Sequence, residues 1–173
     1  MILNANPNLE NRFFSKEVKK KISKVINSGR YILGNEVKNF EKKFSNFIGS
    51  KYAVGVNSGT DALIIALKTL GVSKGDEVII PSISASATAI AVKNVGANIV
   101  YADLDLESYN VSARTIKPKI SKKTKAIIVV HLHGLTADIT SIKKIIRNKN
   151  IKIIEDCAQS HGSKLNNKYT GNL

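Results

Sequence analysis

The chain of 173 residues has a 43% hydrophobic share, enough to bury a real core in one modest domain but short for most two-domain enzymes. Its 27 Lys+Arg against 13 Asp+Glu give a formal net charge of +14, yet the excess is almost all lysine, scattered among few aromatics, which reads as solvated faces rather than a nucleic-acid footprint. No apolar run approaches the roughly 20 residues of a bilayer span, and Cys157, the single cysteine, excludes a disulfide framework or a thiolate metal cluster.

Only Arg12, Arg30, Arg114 and Arg147 offer the planar fork suited to base edges and phosphates. The start, Met1 to Asn6, lacks a basic segment followed by an apolar one. A cytoplasmic protein with no specific nucleic-acid partner and no membrane partner is therefore expected.

In chain order, an arm comes first. A helix is predicted over 15–27, where Lys16-Glu17-Val18-Lys19-Lys20-Lys21 forms the wet side and Ile22, Val25 and Ile26 recur at helical spacing. A turn over 29–34 leads into a second helix over 36–47 that carries Val37, Phe40, Phe44 and Phe47 on one side. From residue 52 onward, short β-branched runs alternate with helical patterns. Buried strands are predicted over 52–56, 77–80, 97–101, 126–130 and 151–154, with helices over 61–70, 85–95, 113–120 and 139–148. Near-continuous apolar strands separated by helices indicate a mostly parallel sheet covered on both faces, with right-handed crossovers. The expected fold class is α/β, a three-layer sandwich, without repeats, low-complexity tracts or a flexible linker.

Two places in this pattern carry chemistry. After the run 52–56, Asn57-Ser58-Gly59-Thr60-Asp61-Ala62-Leu63 brings hydroxyls and a glycine to a helix start, where free backbone N–H groups and the positive end of the helix dipole suit an anion. The same residues also read as a plain helix entry, with Ser58 or Thr60 capping and Gly59 serving the turn. The second place is the carboxyl end of the run 151–154, the edge at which open α/β sheets bind ligands. Asp156 points there toward the crevice and Gln159 follows three residues on, although Glu155 and Asp156 also read as strand-end caps.

The pair His131-Leu132-His133-Gly134 invites a metal, since alternate residues of a strand share a side, but no third ligand stands at a recognisable spacing. No metal is expected; the histidines line the crevice or bond locally. His161 reads either as a partner that orients Asp156 or as an ordinary loop residue.

Taken in order, Asn57-Ser58-Gly59-Thr60-Asp61-Ala62-Leu63, Gly75-Asp76-Glu77-Val78-Ile79-Ile80-Pro81, His131-Leu132-His133-Gly134 and Glu155-Asp156-Cys157-Ala158-Gln159-Ser160-His161-Gly162 resemble the DegT/StrS-type sugar aminotransferases. Ser28-Gly29-Arg30-Tyr31-Ile32-Leu33-Gly34 resembles the family's opening turn. The resemblance implies a fold-type I enzyme dependent on pyridoxal 5'-phosphate (PLP). Such an enzyme aminates a keto group on a nucleotide-linked deoxysugar, with glutamate or glutamine as amino donor, for surface polysaccharides or glycosylated metabolites. It further implies that Ser58, Gly59 and Thr60 bind the phosphate, that Asp156 faces the pyridine nitrogen, that Gln159 contacts the ring oxygen, and that the full-length protein is a homodimer.

In domain terms the expectation is a helical arm over 1–48 and the first part of the PLP-binding large domain over 49–173, truncated, with the small C-terminal domain absent. The family's Schiff-base lysine is expected beyond Leu173, which would leave the isolated chain inactive. This sequence also departs from the pattern: Ala85 stands where the family usually stacks an aromatic side chain on the ring, and His133 where it often has tyrosine. The alternatives are a PLP-dependent sugar dehydratase of the same family, with histidine for the lysine, or a non-catalytic paralogue or basic binding module.

Overall fold

The computed structural model describes residues 6–147 and 149–173. The first five positions of the expected leaderless start, and Asn148 at the end of the last predicted helix, lie outside the described residues. The chain divides into two compact units, Met1–Phe44 and Ser45–Leu173.

In the first unit, α1 (Pro7–Ser28) starts well before the predicted residue 15 because Pro7 sits in the first turn with its φ already set for a helix. It ends at Gly29, whose left-handed φ of 64° returns a backbone N–H to Ile26 O. Lys24 Nζ meets Glu36 Oε1 at 3.1 Å, and that hydrogen bond holds the Glu36 carboxyl below its ordinary range. The next helix, α2 (Asn35–Ile48), begins in this unit and stacks Phe40 on Phe44 at a centroid distance of 5.5 Å.

The second unit is an α/β sandwich. Its elements are α3 (Gly59–Thr69), β1 (Glu77–Pro81), α4 (Ser86–Asn94), β2 (Asn98–Ala102), α5 (Ala113–Ile116), β3 (Thr124–Val130), α6 (Ile139–Ile146) and β4 (Lys152–Asp156). The strands form one parallel sheet in the order β2-β1-β3-β4. Side chains alternate between two cores. Val78, Ile80, Ala126, Ile128 and Val130 pack against Leu63 and Leu67 of α3 and Ala91 and Val92 of α4; Ile79, Ile127 and Val129 pack against Ile116 of α5 and Ile139 and Ile142 of α6. Ile127 and Ile128 are fully buried, each worth about 2 kcal/mol of removed apolar surface. Opposite-going right-handed crossovers put the helix pairs on opposite faces, so the chain changes direction between β1 and β3.

The predicted helix 113–120 breaks into α5 and a 3₁₀ turn at Lys117–Lys119, because Pro118 has no N–H to continue the ladder. The sequence reading did not anticipate the hairpin β5 (Lys164–Leu165) and β6 (Lys168–Tyr169), which turns on Asn166 and Asn167, both at positive φ.

One predicted strand does not form. Residues 52–56 carry no ladder, and Tyr52 and Val54 are 74% and 78% exposed rather than buried. A β-branched run becomes a strand only where a neighbour supplies backbone partners; among the described strands, β2 and β4 border the sheet and neither pairs with this run.

Candidate functional site

Topology gathers the motifs at one edge. A short connection joins the end of α3 to the start of β1 while α3 packs on the sheet, so α3 runs against the strands and its first turn lies at their carboxyl ends. The start of α4, with Ala85 as its N-cap, and the turn after β3 lie at the same edge.

At the α3 terminus both readings of the sequence coexist. Ser58 is the N-cap, in extended geometry, and its Oγ accepts from Asp61 N–H at 3.1 Å and donates to Asp61 Oδ2 at 3.0 Å. The N–H groups of Gly59 and Thr60 belong to the first helical turn and have no intrahelical acceptor. A Cβ built on Gly59 meets nothing within 4 Å, so the space in front of that turn is open.

At the end of β4, alternation separates two adjacent carboxylates. Asp156 is in phase with Ile154, which packs in the α3 core, so it faces the side on which the α3 terminus lies. Its Oδ1 accepts from Ala158 N–H at 3.1 Å, and its main-chain oxygen accepts from His131 N–H at 3.0 Å. Gln159 Oε1 accepts from His133 N–H at 3.0 Å, which leaves the Gln159 NH₂ as a donor. The structure thus brings Ser58, Gly59, Thr60, Asp156 and Gln159 to one edge, with Asp156 on the α3 face.

Glu155 faces the other way, and here the strand-end-cap reading holds. Its side chain, 12% exposed, accepts from His131 Nε2 at 3.0 Å, Gly171 N–H at 2.9 Å and Leu173 N–H at 3.0 Å. Burial pushes its carboxyl up, but the hydrogen bonds from His131, Gly171 and Leu173 outweigh it, and the group lies below its ordinary range. His131 is fully buried, and its Nδ1 accepts from Ala137 N–H at 3.0 Å, so Nδ1 carries no hydrogen and Nε2–H is the donor to Glu155. His133 is exposed, whereas His131 is buried, and the group of ligand-type side chains around His131 among the described residues does not include His133.

His131, Glu155 and Cys157 place ligand-type atoms within 4.8 Å of one another. The donor set does not suit a metal ion. Nε2 carries a hydrogen, the carboxylate already accepts from His131, Gly171 and Leu173, and the Cys157 thiol is pushed up to about 11 by burial and by the Glu155 charge.

The sequence offered Glu155 as a strand-end cap beside Asp156 without naming its tie to His131. One residue of this edge was missed outright. Asn110, buried at 1% exposure, bonds Leu132 and Leu135 in the turn after β3 and had no sequence signal at all.

A family model described as the DegT/DnrJ/EryC1/StrS aminotransferase family matches residues 13–173. The chain belongs to this family. A dTDP-3-amino-3,6-dideoxy-alpha-D-galactopyranose transaminase of Aneurinibacillus thermoaerophilus is 43% identical over 163 residues, covering 94% of this chain and 45% of that enzyme. A GDP-4-keto-6-deoxy-D-mannose 3-dehydratase of Yersinia pseudotuberculosis is 38% identical, covering 87% of this chain and 40% of that one. Among solved structures, S. venezuelae DesV superposes with a TM-score of 0.94 at 34% identity, over 97% of this chain and 45% of DesV. An E. coli GDP-4-keto-6-deoxy-D-mannose-3-dehydratase with bound hydrated PLP gives 0.82 at 34% identity, over 88% and 41%. The chain spans less than half the length of these relatives. PLP is the cofactor of this family, and no described helix is long and apolar enough to cross a membrane.

Proposed function

We propose that the chain carries the phosphate and ring contacts of a PLP-dependent aminotransferase that acts on a nucleotide-linked keto-deoxysugar, with glutamate or glutamine as amino donor, in surface polysaccharide or glycosylated-metabolite synthesis. The observation that carries this reading is the arrival of Asp156 on the α3 face of the sheet, at the edge where the first turn of α3 opens.

The residues fit a phosphorylated pyridine. The N–H groups of Gly59 and Thr60 and the Thr60 hydroxyl would hold the phosphate at the positive end of α3, joined by the Ser58 hydroxyl once it turns its hydrogen from Asp61 Oδ2 to the anion. Asp156 spends Oδ1 on Ala158 and keeps Oδ2 for a protonated ring nitrogen, while Gln159 donates from its NH₂ to the ring oxygen. When bound, PLP supplies the electron sink that eases proton removal beside the amino carbon; the protein's part is to hold the ring-nitrogen proton at Asp156. Ala85 offers no aromatic surface, so the ring rests more heavily on these polar contacts. No lysine of this chain is assigned to anchor the cofactor covalently. That role belongs, in this reading, to the part of the relatives that this chain does not span, together with the homodimer contacts. By itself the 173-residue chain is then inactive and holds PLP noncovalently. A cytoplasmic enzyme is consistent with this chemistry.

The similarity to 3-dehydratases supports a second reading, in which the same contacts serve loss of water from the sugar.

The test has two parts. PLP titrated into the purified chain should change the absorption spectrum without a borohydride-stable adduct, and Ser58→Ala should weaken that binding. A stable adduct on one lysine of this chain sinks the noncovalent assignment. In the chain extended by its full reading frame, Asp156→Asn at saturating PLP should lower turnover on the order of 10²-fold, because the charge-assisted contact strengthens as electron density reaches the ring. Near-normal turnover removes Asp156 from the ring nitrogen. Amine formation as against loss of water separates transferase from dehydratase.

A further inference from the structure

The turn between β3 and α6 is gripped from two sides. Toward the site, His131 N–H donates to Asp156 O and His133 N–H to Gln159 Oε1, each at 3.0 Å. On the other side stands Asn110, in the connection from β2 to α5. Its Oδ1 accepts from Leu132 N–H at 3.1 Å, and its Nδ2 donates to Leu135 O at 3.1 Å and to Ser108 O at 3.2 Å. The Asn110 amide is 1% exposed, and both of its ends are committed to main chain inside the protein. Between these grips His133 sits at φ 55° and ψ 24°, the left-handed region that a non-glycine residue holds only where its surroundings impose it. That conformation aims the His133 N–H at Gln159.

We propose that Asn110 is a positioning residue for the cofactor site: by clamping Leu132 and Leu135 it fixes the His133 N–H, which in turn orients the Gln159 amide with its NH₂ presented as donor. The proposal rests on the assignment of Gln159 to the ring oxygen of PLP. The physical point is the two-fold ambiguity of a carboxamide. Turned by 180°, Gln159 would present an oxygen to an electron-rich ring oxygen and repel it; an N–H donor held against Oε1 removes that option. Asn110 thus acts on ligand contact from the far side of the turn, touching neither ligand nor Gln159.

The experiment compares two probes, PLP and its 3-O-methyl ether, whose methylated ring oxygen is a poorer acceptor. Binding is measured for the wild-type chain, Asn110→Asp, Gln159→Ala and the double variant. Asn110→Asp keeps the shape and the acceptor for Leu132, but sets an anionic oxygen against the Leu135 and Ser108 carbonyls. The wild-type chain should prefer PLP by about tenfold, the scale of one hydrogen bond to a charged group. Gln159→Ala and Asn110→Asp should each abolish the preference, and the double variant should lose no more than either single one. Equal weakening for both probes in Asn110→Asp, with the preference kept and losses that add to those of Gln159→Ala, would show a merely structural residue and overturn the proposal.

If the wild-type chain binds neither probe, the cofactor reading fails, and the clamp is read on the free chain by amide exchange. The His133 N–H should be protected although the residue is exposed, and Asn110→Asp should cut that protection at least tenfold. Unprotected His133 in the wild-type chain, or unchanged protection in the variant, refutes the relay. Should circular dichroism show Asn110→Asp unfolded, the uncharged Asn110→Ser takes its place with the same criteria.

Discussion

The turn before α3 and the end of β4 meet at one sheet edge but are held in different ways. Ser58 is exposed, and the side-chain hydrogen bonds that shape its turn are with Asp61, three residues away. At β4, Glu155 and Gln159 are tied to His131 and His133, 24 and 26 residues away, and Glu155 also to Gly171 and Leu173. In the proposed reading, the difference follows from what each part of the cofactor needs. A phosphate is a nearly spherical anion that any open helix terminus attracts, so a local cap suffices. A planar ring offers a nitrogen and an oxygen in fixed directions, and side chains that address them must be fixed in direction too.

The largest effect should come from removing the brace on the ring side. Glu155→Ala strips an acceptor from the His131 Nε2–H and from the N–H groups of Gly171 and Leu173 and leaves the buried His131 donor unsatisfied. Urea unfolding should show a loss of about 3 kcal/mol. A cost below that of Ser58→Ala would break the comparison outright.

Acid sharpens the same contrast. The Glu155 carboxyl lies below its ordinary 4.5 in the folded chain, so the unfolded state takes up protons first as pH falls. Its contribution is therefore present above about pH 4.5 and is lost as pH falls through the depressed folded value. Unfolding free energies measured from pH 7 down to pH 3 should drop less steeply in Glu155→Gln than in the wild-type chain. Parallel curves would deny Glu155 this role.

The smallest effect is expected on the phosphate side. Ser58→Ala removes one cap acceptor and should cost about 1 kcal/mol of stability, visible as a small shift in the urea midpoint. It should leave amide protection around His131 and Gln159 unchanged, because no hydrogen bond links the Ser58 side chain to that turn among the described residues. Lost protection there would mean that the two halves of the site are coupled.

Much of this architecture was readable without coordinates. The apolar runs at 77–80, 97–101, 126–130 and 151–154 became β1 to β4: β1 and β3 are buried on both faces and must be apolar at nearly every position, β2 and β4 border the sheet and are half-buried, and in all four the β-branched pattern is local. The place of Asp156 followed from position alone, since a residue closing a parallel strand sits at the ligand-binding edge. The run at 52–56 has the same composition and formed no ladder, because composition can request a neighbouring strand but cannot provide one.

The sequence by itself determined which segments can enter a parallel sheet and which residue types close them, because periodicity and helix-entry chemistry act over a few residues. Only the tertiary structure decided that Glu155 turns inward to His131 while Asp156 turns to the α3 face, and that Asn110 grips the turn presenting Gln159. Those outcomes are hydrogen bonds across 22 to 26 residues of chain, as from Asn110 to Leu132 and from His133 to Gln159. Their partners are chosen by the sheet order β2-β1-β3-β4, which sets β4 beside β3 and leaves the β2-to-α5 connection within reach of the turn after β3, a proximity that no spacing along the chain encodes.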